Sequence, residues 1–129
     1  MASEVMVIED NLLHRKLYGA VLRAHGYDPV EVADERTAVD AAANARPIAI
    51  IVDVFLPSVD GRIIIAQLRR DVRTCSIPIV AVSAAAIGSI AQGCYSAGAD
   101  RFHAKPVPML AIVNDIVELS GFKPSDRRT

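Results

Sequence analysis

Asp53 ends the run Ile48-Ala49-Ile50-Ile51-Val52-Asp53, and Glu9-Asp10 follow a second apolar run, Val5-Met6-Val7-Ile8. Near-continuous, β-branched apolar runs of this length mark parallel strands buried on both faces. Three carboxylates therefore stand where two such strands leave their sheet. Ser83 closes a third run, 77–82, and Lys105 follows a weaker one, 100–104. Carboxylates brought together repel one another, and each favours its protonated form unless a cation neutralises the set. A hard divalent cation does so, and Mg²⁺ prefers one or two carboxylates with water and a phosphate over a closed protein cage. The Ser83 hydroxyl and the Lys105 ammonium are donors for phosphate oxygens. A carboxylate can be the nucleophile in phosphoryl transfer, and Asp53 is the central candidate, with the cation and Lys105 offsetting the charge that develops. Singly, each residue has an ordinary use: Asp53 and Asp10 as caps, Ser83 as a turn residue, Lys105 as a solvated charge. Their joint placement at strand ends is what points to chemistry.

The elements between them can be read in order. Asn11 can cap a helix that carries Leu13, Leu17, Val21 and Ala24 on one stripe, expected to face the core, and that stops at Gly26. Residues 28–33 are weaker strand material, with Val30 and Val32 alternating with Glu31 and a Pro29 that cannot donate to a ladder. That suits a sheet edge. Asp34 can cap an Ala-rich helix to about Ala45, ended by Arg46-Pro47. Pro57 and Gly61 force a loop after Asp53, and Asp60 can cap a helix through Ile64, Ile65 and Leu68 to about Asp71. Residues 76–99 carry no formal charge, and the helix expected over 87–97 holds Gly88 and Gly93. Each glycine costs it about 1 kcal/mol against alanine. Ile87, Ile90, Ala91 and Cys94 still share a face, so a weak helix, suited to move, is expected there. Residues 100–104 alternate Phe102 with Arg101 and His103 as a second edge strand would. The last helix starts near Pro108, ends at Gly121 and carries charge only at Asp115 and Glu118.

Five strand–helix pairs imply an α/β fold, a parallel sheet with helices on both faces and right-handed crossovers. Edge signals in the second and fifth strands select the flavodoxin-like (βα)5 doubly wound sheet, order 2-1-3-4-5. Its switch point lies between the first and third strands, where Glu9, Asp10 and Asp53 come out and where such sheets bind ligands. At 129 residues the chain is expected to be one domain, 1–122, with a polar tail 123–129. With 52% hydrophobic residues and a net charge of −1 it is neither disordered nor an electrostatic binder of nucleic acid. No apolar run is long enough to span a membrane, and Met1-Ala2-Ser3-Glu4 lacks the basic start of a signal peptide, so a cytoplasmic location is expected. Cys75 and Cys94 fit no metal or redox spacing and are expected as reduced structural thiols. His14, His25 and His103 share no metal spacing; surface or helix-end use is expected, and no role is assigned to them.

Glu9-Asp10-Asn11, Asp53-Val54-Phe55-Leu56-Pro57 with Asp60-Gly61, Val82-Ser83-Ala84, Gly98-Ala99-Asp100 and Lys105-Pro106 stand in one order and spacing. In this the chain resembles the receiver domain of bacterial two-component response regulators over essentially its whole length. Asn11 after the acids is similar to the single-domain cell-cycle branch of that family more than to its chemotaxis branch. The resemblance implies that Asp53 accepts a phosphoryl group from a histidine kinase or histidine phosphotransfer protein. It implies that Glu9, Asp10, Asp53 and the backbone carbonyl of Phe55 hold Mg²⁺, that Lys105 contacts the phosphoryl group, and that Lys105-Pro106 is a cis bond. Ser83 and Phe102 would be the hydroxyl and aromatic switch residues. Such a domain is a phosphoacceptor that assists its own phosphorylation and dephosphorylation, not an enzyme. It signals to a downstream protein, or forms a homodimer, through the face built by its fourth helix, fifth strand and fifth helix. Here Ile87, Ile90, Tyr95, Met109 and Ile112 are candidate contacts. Two departures stand out: Phe102 has no phenolic hydroxyl, so only its ring position can report the state, and the fourth helix is uncharged. Phosphorylation is expected to pull Ser83 toward the phosphoryl oxygens, with the loop after it following and Phe102 repacking.

Three alternatives share these features. An aspartate-nucleophile phosphatase of dehalogenase type needs a second Asp two residues after the nucleophile, where this chain has Phe55. A flavin mononucleotide carrier on the same fold would meet Glu9 and Asp10 where its phosphate should sit. A receiver fragment of a longer regulator shares the whole pattern.

Overall fold

The computed structural model describes residues 3–56, 59–85 and 88–122. Pro57, Ile87 and the tail 123–129 lie outside the described residues. Five strands, β1 (Glu4–Ile8), β2 (Asp28–Val32), β3 (Ala49–Asp53), β4 (Ile79–Ser83) and β5 (Arg101–Ala104), form one parallel sheet in the order β2-β1-β3-β4-β5. The helices are α1 (Leu12–Ala24), α2 (Ala38–Ala45), α3 (Gly61–Arg70), α4 (Gly88–Ala97) and α5 (Met109–Ser120). This is the flavodoxin-like order that the edge signals select.

Alternation along each strand sorts its side chains into two layers. Val5, Val7, Ala49, Ile51 and Val82 pack with Tyr18 and Leu22 of α1 and Ile112, Val113 and Ile116 of α5. Met6, Ile8, Ile50, Val52, Ile79 and Ala81 pack on the other face with Ala38 and Ala42 of α2, Ile64, Ile65 and Leu68 of α3, and Cys94 of α4. Each fully buried Ile or Leu contributes about 1.5–3 kcal/mol. Since β3 and β4 are buried at every position while β2 and β5 are not, only the central strands needed unbroken apolar runs. No described helix is long and apolar enough to cross a membrane.

The helix α1 departs from its expected orientation. Leu13 and Leu17 are 76% and 55% exposed, Ala24 is exposed too, and the buried residues are Tyr18, Gly19 and Leu22. The inward stripe is Arg15, Tyr18, Gly19 and Leu22, at i, i+3, i+4 and i+7. Arg15 sets the rotation: its guanidinium donates to the backbone carbonyls of Glu9 (2.9 Å) and Asp10 (3.3 Å) and to Glu31 of β2 (3.2 Å). Turning the leucines inward would break all three.

Several element ends also shift. Asp34 caps by accepting from Arg36, but the turn it caps is a 3₁₀ segment, Glu35–Thr37, and α2 begins only at Ala38. β4 begins at Ile79 instead of Ile77, after Pro78, which cannot donate to a ladder. Asp100 is not strand: its carboxylate accepts from Ile79 N–H (2.8 Å) and from Arg69 (2.7 Å). Arg69 also donates to the carbonyls of Gly98, Cys75 and Ile77, so the Gly98-Ala99-Asp100 motif ties α3, β4 and the entry to β5 together. Asn11, Asp60 and Gly121 cap or end their helices as expected. His25 ends α1 as expected, whereas His103 is half-buried in β5 and hydrogen-bonds Asp115, a buried acid of α5. Both cysteines are free, Cys94 in the core and Cys75 exposed.

Candidate functional site

Each acid owes its place to the strand behind it. β1 and β3 pair in register from Val5↔Ala49 to Ile8↔Val52, so Glu9 and Asp10 leave the sheet beside Asp53, the last residue of β3. One carboxylate oxygen from each of the three lies within 4.8 Å of the other two. Glu9 and Asp53 are buried and Asp10 is exposed.

Lys105 comes in from the end of β5. Its backbone N–H donates to the Ser83 carbonyl (2.7 Å), and its Nζ donates to Glu9 Oε1 (3.2 Å) and Asp53 Oδ2 (3.3 Å). The Lys105-Pro106 bond is cis. The other Asp53 oxygen accepts the Phe55 N–H at 3.1 Å. Burial, followed by the hydrogen bond and charge of Asp53, pushes the Glu9 carboxyl up to about 7. Burial opposes the Lys105 ammonium, but the charges of Asp53 and Glu9 reverse this and hold its pKa above the ordinary lysine value. The Lys105 ammonium meets two of the three carboxylates, and a hard divalent cation fits an all-oxygen donor set of this kind.

The residues flanking 57–58 are drawn together. Phe55 bridges Asp60, and Gly61 N–H donates to Val54 O at 2.7 Å. A Cβ on Gly61 would sit 2.3 Å from the Asp53 carbonyl oxygen and 2.7 Å from Val54 Cα, so no side chain fits there. Asp60 accepts from Arg62 N–H at the first turn of α3 and pairs with the same residue's guanidinium.

Two further candidate residues lie on β4 and β5. Ser83 is fully buried at the end of β4, with its hydroxyl accepting the Ala85 N–H at 3.1 Å. Phe102 is half-buried in β5 and packs on the layer formed with α2, α3 and α4. Of the proposed surface contacts, Ile112 is wholly buried, Ile90 and Met109 are half-buried against the core, and Tyr95 is exposed. Ile112 is therefore corrected from a contact to a core residue: it faces the sheet, where Val5, Val7 and Ile51 meet α5.

His14, to which the sequence assigned no role, and Arg15, which it did not single out, reach the crevice. They lie three and four positions after Asn11, and helix side chains lean back toward the N-terminus, here over the β1–α1 loop. His14 Nδ1 lies 3.4 Å from Lys105 Nζ.

Fold and crevice together define a doubly wound α/β domain with a cluster of three acids at its switch point. The pattern of the response regulator receiver domain matches residues 5–117, and the chain belongs to that family. It is 30% identical over 121 residues to the polar-differentiation response regulator DivK of Brucella anthropi, covering 94% of this chain and 98% of that one. The receiver domain of the sensor histidine kinase PA1611 from Pseudomonas aeruginosa, solved with a magnesium ion coordinated in its active site cleft, aligns with a TM-score of 0.85 at 30% identity. That match covers 95% of this chain and 100% of the other. The chemotaxis protein CheY4 of Vibrio cholerae shares the fold, with a TM-score of 0.84 at 23% identity over 92% of this chain and 99% of its own.

Proposed function

We propose that the chain is a phosphorylation-switched receiver whose Asp53 accepts a phosphoryl group from a histidine kinase or histidine phosphotransfer protein. The arrangement that carries this is a buried Asp53 carboxylate with Lys105 Nζ at 3.3 Å and the acids after β1 grouped beside it. Nucleophile, fixed cation and metal-accepting acids share one crevice. Glu9, Asp10, Asp53 and the Phe55 backbone carbonyl would hold Mg²⁺, an ion coordinated in the cleft of the Pseudomonas receiver. When bound, it supplies positive charge to the oxygens of the transferred group. An Asp53 oxygen attacks phosphorus as the P–N bond of the donor phosphohistidine breaks; an acyl phosphate forms, and the departing imidazole keeps the electron pair and takes a proton from solvent. Lys105 moves a donor from Asp53 to a phosphoryl oxygen.

Leu12, Leu13 and Leu17, on the helix whose first turn borders the crevice, offer a donor protein an apolar surface. Ser83 gives up the Ala85 N–H for the phosphoryl group, Phe102 repacks, and a downstream protein or a second copy reads the face of α4, β5 and α5, with Tyr95 its exposed aromatic. The domain assists only its own phosphorylation and dephosphorylation. Two free thiols suit a reducing compartment, and the proposal places the protein in the cytoplasm.

Intact mass after incubation with Mg²⁺ and acetyl phosphate, and separately with a histidyl-phosphate donor, tests the proposal. One added phosphoryl group, lost in Asp53→Asn, is expected. No addition from either donor, or equal labelling of the variant, would overturn it.

A further inference from the structure

We propose that His14, in the first turn of α1, is a positioning residue for Lys105; this rests on Asp53 being the phosphoacceptor. An ammonium has three N–H donors and no acceptor. Those of Lys105 meet Glu9 Oε1 at 3.2 Å, Asp53 Oδ2 at 3.3 Å and His14 Nδ1 at 3.4 Å. Because the ammonium can only donate, Nδ1 is the acceptor of this contact. The same Nδ1 lies 3.8 Å from Glu9 Oε1, so the ring borders both partners.

The ring is delivered by a well-held turn. Asn11 Oδ1 accepts the His14 backbone N–H at 3.0 Å, and the adjacent Arg15 pins the turn to the Glu9 and Asp10 carbonyls. The His14 side chain is 45% exposed, so the core does not depend on it.

Its consequence lies in the reacting state. Glu9 and Asp53 are the acceptors that a bound cation and a transferred phosphoryl group would claim. His14 Nδ1 is the acceptor of the three that neither claims. Lys105 thus keeps one fixed partner while its other donors turn to phosphoryl oxygens, and a flexible four-carbon side chain stays in a single arrangement.

The test compares His14→Phe, which keeps an aromatic ring but removes the acceptor, with His14→Gln, which restores an acceptor oxygen. The phosphorylation rate is followed against acetyl phosphate concentration at saturating Mg²⁺. His14→Phe is expected to lower the limiting rate about tenfold, the order for losing one hydrogen bond to a charged group, with the half-saturating donor concentration within about twofold of wild type. His14→Gln should recover most of the rate, and thermal midpoints should stay level. Unchanged rates in both variants, or an equal loss in both, would overturn the role. The Lys105 ¹⁵Nζ resonance, recorded without metal, gives a second readout that should move in His14→Phe and return toward wild type in His14→Gln. If wild type takes no phosphoryl group, the phosphoacceptor reading fails, and that resonance decides alone: an unmoved signal in His14→Phe overturns the positioning of Lys105.

Discussion

Replacing Asp53 with asparagine should stabilise the metal-free protein above neutral pH, because the crevice holds more negative charge than Lys105 can balance. Glu9 carries much of the strain. Burial and then Asp53 raise its pKa from 4.5 to about 7. A folded-state pKa above the unfolded one means that the stabilisation from this proton is complete below pH 4.5 and is lost as pH rises through about 7. The rise corresponds to about 3 kcal/mol. Burial is the larger share and survives the substitution; removing the Asp53 charge relieves about 1–2 kcal/mol. Against this stands the loss of the Lys105–Asp53 charge pair, about 0.5–1 kcal/mol once the asparagine oxygen takes over as acceptor. Lys105 keeps Glu9 and His14 as acceptors. The net expectation at pH 8 is a gain of about 1 kcal/mol, or a thermal midpoint higher by about 3–5 °C. Urea unfolding in excess chelator from pH 5 to 8.5 measures it directly. Wild type should lose stability from about pH 5 to 7 and level off above that, the variant should lose less, and the two curves should cross, the variant being the less stable by about 0.5–1 kcal/mol near pH 5. A wild-type stability that is flat over that range, or a variant no more stable at pH 8, would refute the electrostatic account. Saturating Mg²⁺ should narrow the gap by binding the folded wild type.

Gly61→Ala places a methyl carbon against the Asp53 carbonyl oxygen, and backbone must move; urea unfolding should show a loss of about 2–4 kcal/mol and intact mass a loss of labelling by acetyl phosphate. Leu13→Asp and Leu17→Asp should change stability by no more than about 0.5 kcal/mol, whereas Leu22→Ala costs about 2–4 kcal/mol. The same two aspartates should slow transfer from a histidine donor protein while leaving acetyl phosphate labelling intact; slowing of both would mean that the leucines serve the crevice itself. Arg15→Met removes the donors that hold the Glu9 and Asp10 carbonyls; titration calorimetry should find Mg²⁺ bound several-fold more weakly and unfolding should show a loss of about 1–2 kcal/mol.

Order along the chain by itself determined the sheet and the heart of the site. A parallel strand covered on both faces must be apolar at successive positions, and an unpaired carboxylate cannot sit inside it. The runs before Glu9 and Asp53 therefore announced both a central strand and the place where it stops. The helix ends at Asn11, Asp60 and Gly121 were equally local, since a cap depends on one residue and its near neighbours. Tertiary structure alone decided how α1 is turned. Leu13-Leu17-Val21-Ala24 and Arg15-Tyr18-Gly19-Leu22 both satisfy a helical period, and the second reads poorly by composition because it begins with arginine and contains glycine. What turned it inward was Glu31 on the neighbouring strand and two backbone carbonyls of the acid loop. That rotation exposed Leu13 and Leu17 and brought His14 within reach of Lys105, 91 residues away in the chain. The burial of Ile112 and the pairing of Asp115 with His103 followed from the same cause. Periodicity shows that a helix has a face, but the partner surface, assembled from distant residues, selects which face it is.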